Sequence, residues 1–172
     1  MTVRSSRTSF VLPAAAAVAT LLTACGATDT APADALSVSA AWAKAADDGM
    51  TAAFADLQNT GDSDLHIVSV DSAVARSTEL HEMVSDGAGG MVMQESDEGF
   101  VVPAGGTHRL APGGDHIMFI GLLAPLTPGT DVPITVTFAD GSAVEFSAQV
   151  RDYAGAQEDY APGHGEPAGH DE

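Results

Sequence analysis

The chain has 172 residues, with 24 acidic and 6 basic side chains and a formal net charge of −18. This charge excludes a nucleic-acid footprint, because binding to the phosphate backbone needs clustered Lys and Arg. The length predicts one domain with a substantial core. Only 5% of the residues are aromatic, whereas 18 are Gly and 9 are Pro, which favours a sheet protein with many turns over a helical bundle.

The first 24 residues are typical of a signal peptide. Arg4 and Arg7 form a short positive region, and a mostly apolar segment over residues 10–24 then meets Cys25. The segment is too short and wrongly flanked for a spanning helix. The Leu-Thr-Ala-Cys run that ends at Cys25 resembles the lipobox of bacterial lipoproteins, in which the Cys is diacylated. We therefore expect a protein anchored by lipid to the bacterial cell membrane, outside the cytoplasm; the alternative is a plain secretory signal.

Cys25 is the single cysteine of the chain, which excludes an internal disulfide, a Cys-based zinc knuckle and an iron–sulfur cluster. If this thiol carries lipid, it is not available for chemistry. A metal or catalytic site must then be built from His, Met, carboxylates and hydroxyls.

Short β-type runs separated by turn residues follow a small, polar segment over 25–35 that suits a tether. Nine such runs, without a long amphipathic helix, predict an all-β protein, an antiparallel β-sandwich or barrel over residues 36–151. The predicted strands are 37–42, 51–57, 65–71, 77–84, 90–94, 108–111, 116–123, 132–138 and 143–150.

The strongest local prediction is a hairpin at Asp140-Gly141, which separates alternating runs over 134–138 and 144–147. An Asp-Gly pair in this position indicates a two-residue turn in which both residues have positive φ.

The C-terminal segment 152–172 lacks Lys and Arg and has too little apolar content to order itself. We interpret it as a disordered acidic tail. Its His164 and His170, together with nearby carboxylates, could form an accessory metal site that suits Cu(II), although plain solvation is the favoured interpretation.

Two stretches concentrate Met and His. The first runs from Glu79 to Met83 and is followed by Met91 and Met93, and the second covers residues 115–120. Because strand side chains alternate between faces, His116 and Met118 should lie on the side opposite Ile117 and Phe119, which are expected in the core.

The same alternation separates His81 from Leu80 and Met93 from Val92. Three strands can thus offer imidazole or thioether groups from one side of the sheet. Such a ligand set favours Cu(I) over Mg²⁺, Ca²⁺ or Mn²⁺ and is a poor choice for structural zinc. The absence of a thiolate argues against a blue-copper electron carrier.

The spacing of these residues resembles the copper-binding signature of the periplasmic copper chaperones called PCuAC. His81 is followed by Met93 after an intervening Glu82 and ten further residues, and then by His116-Ile117-Met118. Glu82 stands where the family often has Met, and the stretch of twenty-two residues between Met93 and His116 is one longer than the usual spacing.

Family landmarks extend across residues 36–150, including Trp42 and the Val-Pro-Ala-Gly-Gly run at 102–106. The resemblance implies a cupredoxin-like, Greek-key β-sandwich and a non-enzymatic chaperone that carries Cu(I). It also implies a recipient, namely the copper centre of a cytochrome c oxidase subunit, with a Sco-type protein as a further partner. The implied ligands are His81, Met93, His116 and Met118.

The remaining Met and His residues have less specific signals. Met91 and Met83 are better interpreted as packing residues than as ligands, but remain accessory candidates because they neighbour Met93 and His81. His66 and His108 are isolated near turns and are interpreted as surface residues.

Two other classes of function stay open. A copper oxidase or a superoxide dismutase-like enzyme would need more His ligands and an open coordination position. A metal-free acidic lipoprotein that binds a partner through its sheet would need no metal ligands at all.

Overall fold

The computed structural model describes residues 31–155, which form a nearly all-β fold. A helical turn, α1 (Pro32–Ala35), precedes ten strands. The strands are β1 (Leu36–Lys44), β2 (Met50–Asn59), β3 (Leu65–Asp71), β4 (Ala75–Ser85), β5 (Met91–Glu95), β6 (Phe100–Val102), β7 (Thr107–Leu110), β8 (His116–Leu122), β9 (Asp131–Phe138) and β10 (Ala143–Arg151).

The strands pair into one sheet that folds over on its core as an open β-sandwich, in the order β5-β4-β8-β2-β1-β10-β9-β3-β6, with β7 paired to β2. All strand pairs are antiparallel except β1 with β10. The nine predicted strands are all present. The additional strand β6 was not predicted, because three residues are too few to display an alternating pattern.

The main hydrophobic core lies between the folded halves of the sheet. Its fully buried side chains come from alternate strand positions, as the period of two predicts. The largest are Phe119, Phe138, Leu57, Ile67, Ile117 and Ile134. Replacing a Phe in such a core by Ala typically lowers the free energy of unfolding by about 3–5 kcal/mol.

The hairpin between β9 and β10 is confirmed, but the predicted turn type is wrong. The turn closes through a hydrogen bond from Gly141 N–H to Phe138 O at 2.9 Å, and Gly141 has a φ of 84°. Asp140 is not among the residues of positive φ. Its carboxylate instead accepts hydrogen bonds from Ser142 N–H and Oγ–H, so one left-handed glycine is sufficient for the turn.

A β-bulge interrupts the pairing of β1 with β2 between Ser39 and Trp42. Within it, Ala40 has a φ of 52°, which makes it the one non-glycine residue of positive φ in the described part of the chain. Bulges change the direction in which the following side chains point. Here the Trp42 ring packs at a tilt of 36° against Phe54 of β2, with the ring centroids 4.6 Å apart.

Both ends of the described region contact the sheet. The segment interpreted as a tether contributes α1, and Ala35 within it is 4% exposed. At the other end, Tyr153 packs edge-on against Trp42, and Lys44 Nζ donates a hydrogen bond to Gly155 O. The predicted tail therefore begins in contact with the domain, because these residues cover a side chain of β1.

The predicted signal peptide, the lipidation residue Cys25 and the accessory candidates His164 and His170 lie outside the described residues. Residues 31–155 contain no helix with the length and hydrophobicity of a membrane span.

Candidate metal site

Three adjacent strands carry the four predicted ligands. Strand β4 carries His81, the neighbouring edge strand β5 carries Met93, and β8, on the other side of β4, carries His116 and Met118. Residues remote in the sequence thus meet because β8 and β5 pair with opposite edges of β4.

The alternation of β8 agrees with the prediction from the sequence. Ile117 and Phe119 belong to the main core, whereas Met118 belongs to a second, smaller cluster of buried side chains. Leu80 on β4 also belongs to the main core, while Val92 on β5 is only half-buried.

The four candidate ligands are buried. His81 is 0% exposed, His116 is 5% exposed, and Met93 and Met118 are each 6% exposed. Burial arises because side chains from β1 and β2 cover this face of the sheet, Phe54 within the cluster itself and Trp42 packed against it. The candidate ligands are therefore largely shielded from water.

The two histidines are direct neighbours across the strands. His81 and His116 are Cα partners in the antiparallel pair of β4 and β8, and their ring centroids are 5.5 Å apart, with the planes inclined by 52°. This arrangement allows both rings to face a common space beside the sheet.

Hydrogen bonds orient each ring. His116 Nδ1–H donates to Gly114 O at 2.8 Å, and His81 Nε2–H donates to Glu79 Oε2 at 2.8 Å. In the neutral imidazole, donation from one nitrogen leaves the lone pair on the other. The ligating atoms would accordingly be Nε2 of His116 and Nδ1 of His81.

The thioethers of Met93 and Met118 belong to one buried cluster, together with Ala52 and Phe54. Met118 pairs with Ala52 on β2, whose small side chain leaves room for the long Met side chain. Phe54 links this cluster to the imidazoles, since its ring centroid lies 6.2 Å from that of His116.

The two accessory methionines differ in position. Met83 is the Cα partner of Met93 and packs, half-buried, against the cluster. Met91 is 56% exposed and pairs with Ser85, farther along the hairpin. Of these two, Met83 is the better placed to contact a bound ion.

The sequence interpretation assigned no role to Glu79 or Phe54 at the site. Glu79 could have been identified from its position two residues before His81, because residues two apart in a strand lie on the same face. The contact of Phe54 with the site depends on the pairing of β2 with β8, which no local pattern revealed.

The other described histidines have separate surroundings. His66 is exposed on β3, as predicted for a surface residue. His108 stacks on Phe100 with ring centroids 4.9 Å apart, and its Nε2 lies 3.0 Å from Asp115 Oδ2. Both are thus explained without a metal.

Over the described range 31–155, no group of three or more His, Cys, Asp or Glu side chains is arranged to hold a metal ion. A metal bound between His81 and His116 would therefore need the thioethers of Met93 and Met118 to complete its coordination. Two imidazoles and two thioethers are a soft to borderline donor set, which suits Cu(I).

Comparison with known proteins identifies the family. Residues 36–150 match the family model described as "Putative lipoprotein LpqE-like". The chain is also 48% identical over 128 residues to the "Putative lipoprotein Lxx21020" of Leifsonia xyli subsp. xyli, a match that covers 74% of this chain and 76% of that protein. The chain belongs to the LpqE-like family.

Solved structures with a similar fold include PCuAC domains. The copper-bound PCuAC domain of PmoF2 matches with a TM-score of 0.57 and 19% identity, covering 69% of this chain and 94% of that domain. The solution structure of "CuI-DR1885" from Deinococcus radiodurans matches with a TM-score of 0.53 and 31% identity, covering 76% of this chain and 89% of that one. The predicted β-sandwich of the PCuAC type is thereby confirmed.

Proposed function

We propose that this protein is a copper chaperone that binds one Cu(I) ion through His81, Met93, His116 and Met118 and passes it to another protein. The observation that carries the proposal is the convergence of two paired imidazoles and two buried thioethers on one face of the sheet. Its similarity to the Cu(I) form of DR1885 supports the same cargo.

Burial of the ligands suits the chemistry of Cu(I). A thioether cannot be lost to disulfide formation, and a pocket shielded from water protects both the ion and the sulfur atoms from oxidation. We infer that release proceeds by stepwise exchange, in which the acceptor replaces the Met ligands one at a time. Met93 is the first candidate for replacement, because it lies on the edge strand β5.

Anaerobic titration against a chromophoric Cu(I) chelator tests the proposal. The parent protein should bind one Cu(I), and Met93→Ala and Met118→Ala should each weaken retention while circular dichroism shows an intact fold. Met50→Ala is a matched control, since Met50 is 47% exposed and lies outside the cluster. Retention of Cu(I) by both cluster variants at the parental level would refute the assigned site.

The same titration distinguishes the alternative of a metal-free acidic interaction module, which would bind no Cu(I). The formal charge of −18 is consistent with an interaction module, because an acidic surface attracts basic partners.

For the recipient, we propose the copper centre of cytochrome c oxidase, with a Sco-type thiol protein as a further partner; the basis is the resemblance to PCuAC proteins. Mixing the Cu(I)-loaded protein with a purified copper-free oxidase subunit tests it. After the two proteins are separated, copper bound to the oxidase subunit would support this recipient, and a copper-free subunit would require another acceptor.

We further propose that Cys25 is diacylated and anchors the protein outside the cytoplasm. The names of the family and of the Leifsonia relative, which both contain "lipoprotein", support this location. Labelling with a palmitate analogue should mark the parent protein, while Cys25→Ser should remove the label. A label that persists in the variant would contradict the anchor.

A role of the C-terminal tail in binding Cu(II) through His164 and His170 remains a prediction. Electron paramagnetic resonance of the Cu(II)-loaded full chain, compared with a chain truncated after Gly155, is the test. Equal spectra would refute a tail site.

A further inference from the structure

Glu79 is hydrogen-bonded to the imidazole of His81, which is the more deeply buried of the two candidate histidines. Its Oε2 accepts the hydrogen bond from His81 Nε2–H at 2.8 Å. The His81 side chain is 0% exposed, while that of Glu79 is 19% exposed. The carboxylate therefore lies at the boundary between the buried imidazole and solvent.

Further contacts restrain the Glu79 side chain. Ser77 Oγ donates to Glu79 Oε1 at 3.2 Å, so the two carboxylate oxygens have different partners. Glu79 is also the Cα partner of Met118 across β4 and β8, which places both side chains on the same face of the sheet. The carboxylate is thus held beside two of the four candidate ligands.

A carboxylate that accepts from a metal-binding histidine fixes the tautomer and the orientation of the ring and raises its basicity. For His81, donation from Nε2–H directs the lone pair of Nδ1 away from Glu79. Without this acceptor, the ring could rotate about its side-chain torsion or exchange tautomers, and either change would cost affinity.

We propose that Glu79 is a positioning residue for copper binding, holding His81 in the tautomer and orientation that present Nδ1 to Cu(I). This inference rests on the proposed copper-binding function and adds to it a residue that does not contact the ion. Glu79 acts entirely through His81.

The chain offers a matched control in Glu95. Glu95 is the Cα partner of His81 on the opposite neighbouring strand, so it lies on the same face and carries the same charge. Its side chain is exposed, in contrast to that of Glu79. Replacing either residue removes one negative charge beside His81, but it is the Glu79 carboxylate that accepts a hydrogen bond from the ring.

The experiment compares Glu79→Leu, Glu79→Gln and Glu95→Leu with the parent protein. Nuclear magnetic resonance of the ¹⁵N-labelled apo proteins should show a downfield, exchange-protected Nε2–H proton of His81 in the parent and in Glu95→Leu. Glu79→Leu should lose this resonance. Glu79→Gln should keep it, because the amide oxygen still accepts the hydrogen bond.

Cu(I) affinity, measured by chelator competition, should fall about 10–100-fold in Glu79→Leu. Glu79→Gln should recover most of the affinity, and Glu95→Leu should remain close to the parent. A parent protein without the protected resonance, or a folded Glu79→Leu variant that binds Cu(I) like Glu95→Leu, would overturn the positioning role. Failure of the parent itself to bind Cu(I) would instead refute the proposed function.

Discussion

His81 and His116 lie directly opposite each other on β4 and β8, with their ring centroids 5.5 Å apart. Thirty-four residues lie between them in the sequence. The two rings are neighbours because β8 pairs with β4 in the sheet. Each ring is oriented by a hydrogen bond to a residue two positions earlier on its own segment, Glu79 or Gly114.

Substitution of the buried methionines by Leu separates their packing role from their sulfur chemistry. Because Leu and Met have similar volumes, Met118→Leu should lower the free energy of unfolding by less than about 1.5 kcal/mol. The same change should lower Cu(I) affinity at least about tenfold, since it removes a proposed ligand, whereas loss of a residue that only orients a ligand typically costs about 10–100-fold. Urea unfolding and chelator competition measure the two effects.

Met83→Leu is the control for this experiment, because Met83 packs against the same cluster but is only half-buried. Its effect on Cu(I) affinity should be smaller than that of Met118→Leu. An equal loss of affinity in the two variants would instead identify Met83 as a ligand.

Trp42 should report copper binding by fluorescence. It is the single tryptophan of the chain and packs against the cluster that contains Met93 and Met118. Ligation of those thioethers must alter their packing, so the Trp42 emission should change during anaerobic addition of Cu(I) and reach a plateau at one equivalent. A double Met93→Leu, Met118→Leu variant should show no such plateau, and an unchanged parental emission would contradict the prediction.

The bulge in β1 should depend on a small residue at position 40. Ala40 has a φ of 52°, a region that costs about 1–2 kcal/mol for residues with a side chain. Ala40→Val should add further strain, because a β-branched residue tolerates positive φ poorly. We expect a lower midpoint of urea unfolding and a shifted Trp42 emission.

Ser39→Val is the matched control for the bulge, since Ser39 is also exposed on β1 but does not have positive φ. It should leave both measurements near the parental values. Equal effects of the two substitutions would show that the backbone conformation at Ala40 is not the cause.

Asp86 should make the β4–β5 hairpin sensitive to acid. Its carboxylate accepts hydrogen bonds from Ala88 N–H at 2.7 Å and Gly90 N–H at 2.8 Å, and these bonds, chiefly the one from Ala88, hold the pKa of Asp86 below its ordinary value of 3.8. Because the pKa of Asp86 is lower in the folded than in the unfolded protein, its ionised carboxylate contributes its full stabilisation above pH 3.8. This stabilisation is lost as the pH falls through the folded pKa.

Urea unfolding of the parent and of Asp86→Asn, at a pH above 3.8 and at a pH below the folded pKa of Asp86, tests this linkage. The stability difference between the two proteins should shrink on acidification, because the parent loses its ionised acceptor while the variant has none to lose. Asp140, whose pKa is also lowered, chiefly by its hydrogen bond from the Ser142 side chain, is intact in both proteins and cancels in the comparison. A difference independent of pH would contradict the prediction.

Local sequence patterns were sufficient for much of the fold. Alternating runs predicted nine of the ten strands, and the Asp-Gly pair predicted the final hairpin. They missed β6 because it is too short. They misassigned the turn type because the Asp140 backbone does not adopt a left-handed conformation, while its carboxylate accepts a hydrogen bond from Ser142.

The candidate ligands were proposed from the identity and spacing of residues, which are properties of the chain. The direction of each side chain was also predictable, since successive residues of a strand point to opposite faces. This reasoning correctly separated Met118 from Phe119. It could not say what would cover the face on which Met118 lies.

What the sequence alone determined was therefore the β-class of the protein and the strand faces on which the imidazole and thioether groups of the candidate site lie. The tertiary structure decided that His81 meets His116, that Trp42 and Phe54 help to bury the site, and that Glu79 accepts a hydrogen bond from His81. Side-chain alternation is a local consequence of backbone geometry, whereas neighbouring strands and burial depend on pairing between segments distant in the chain.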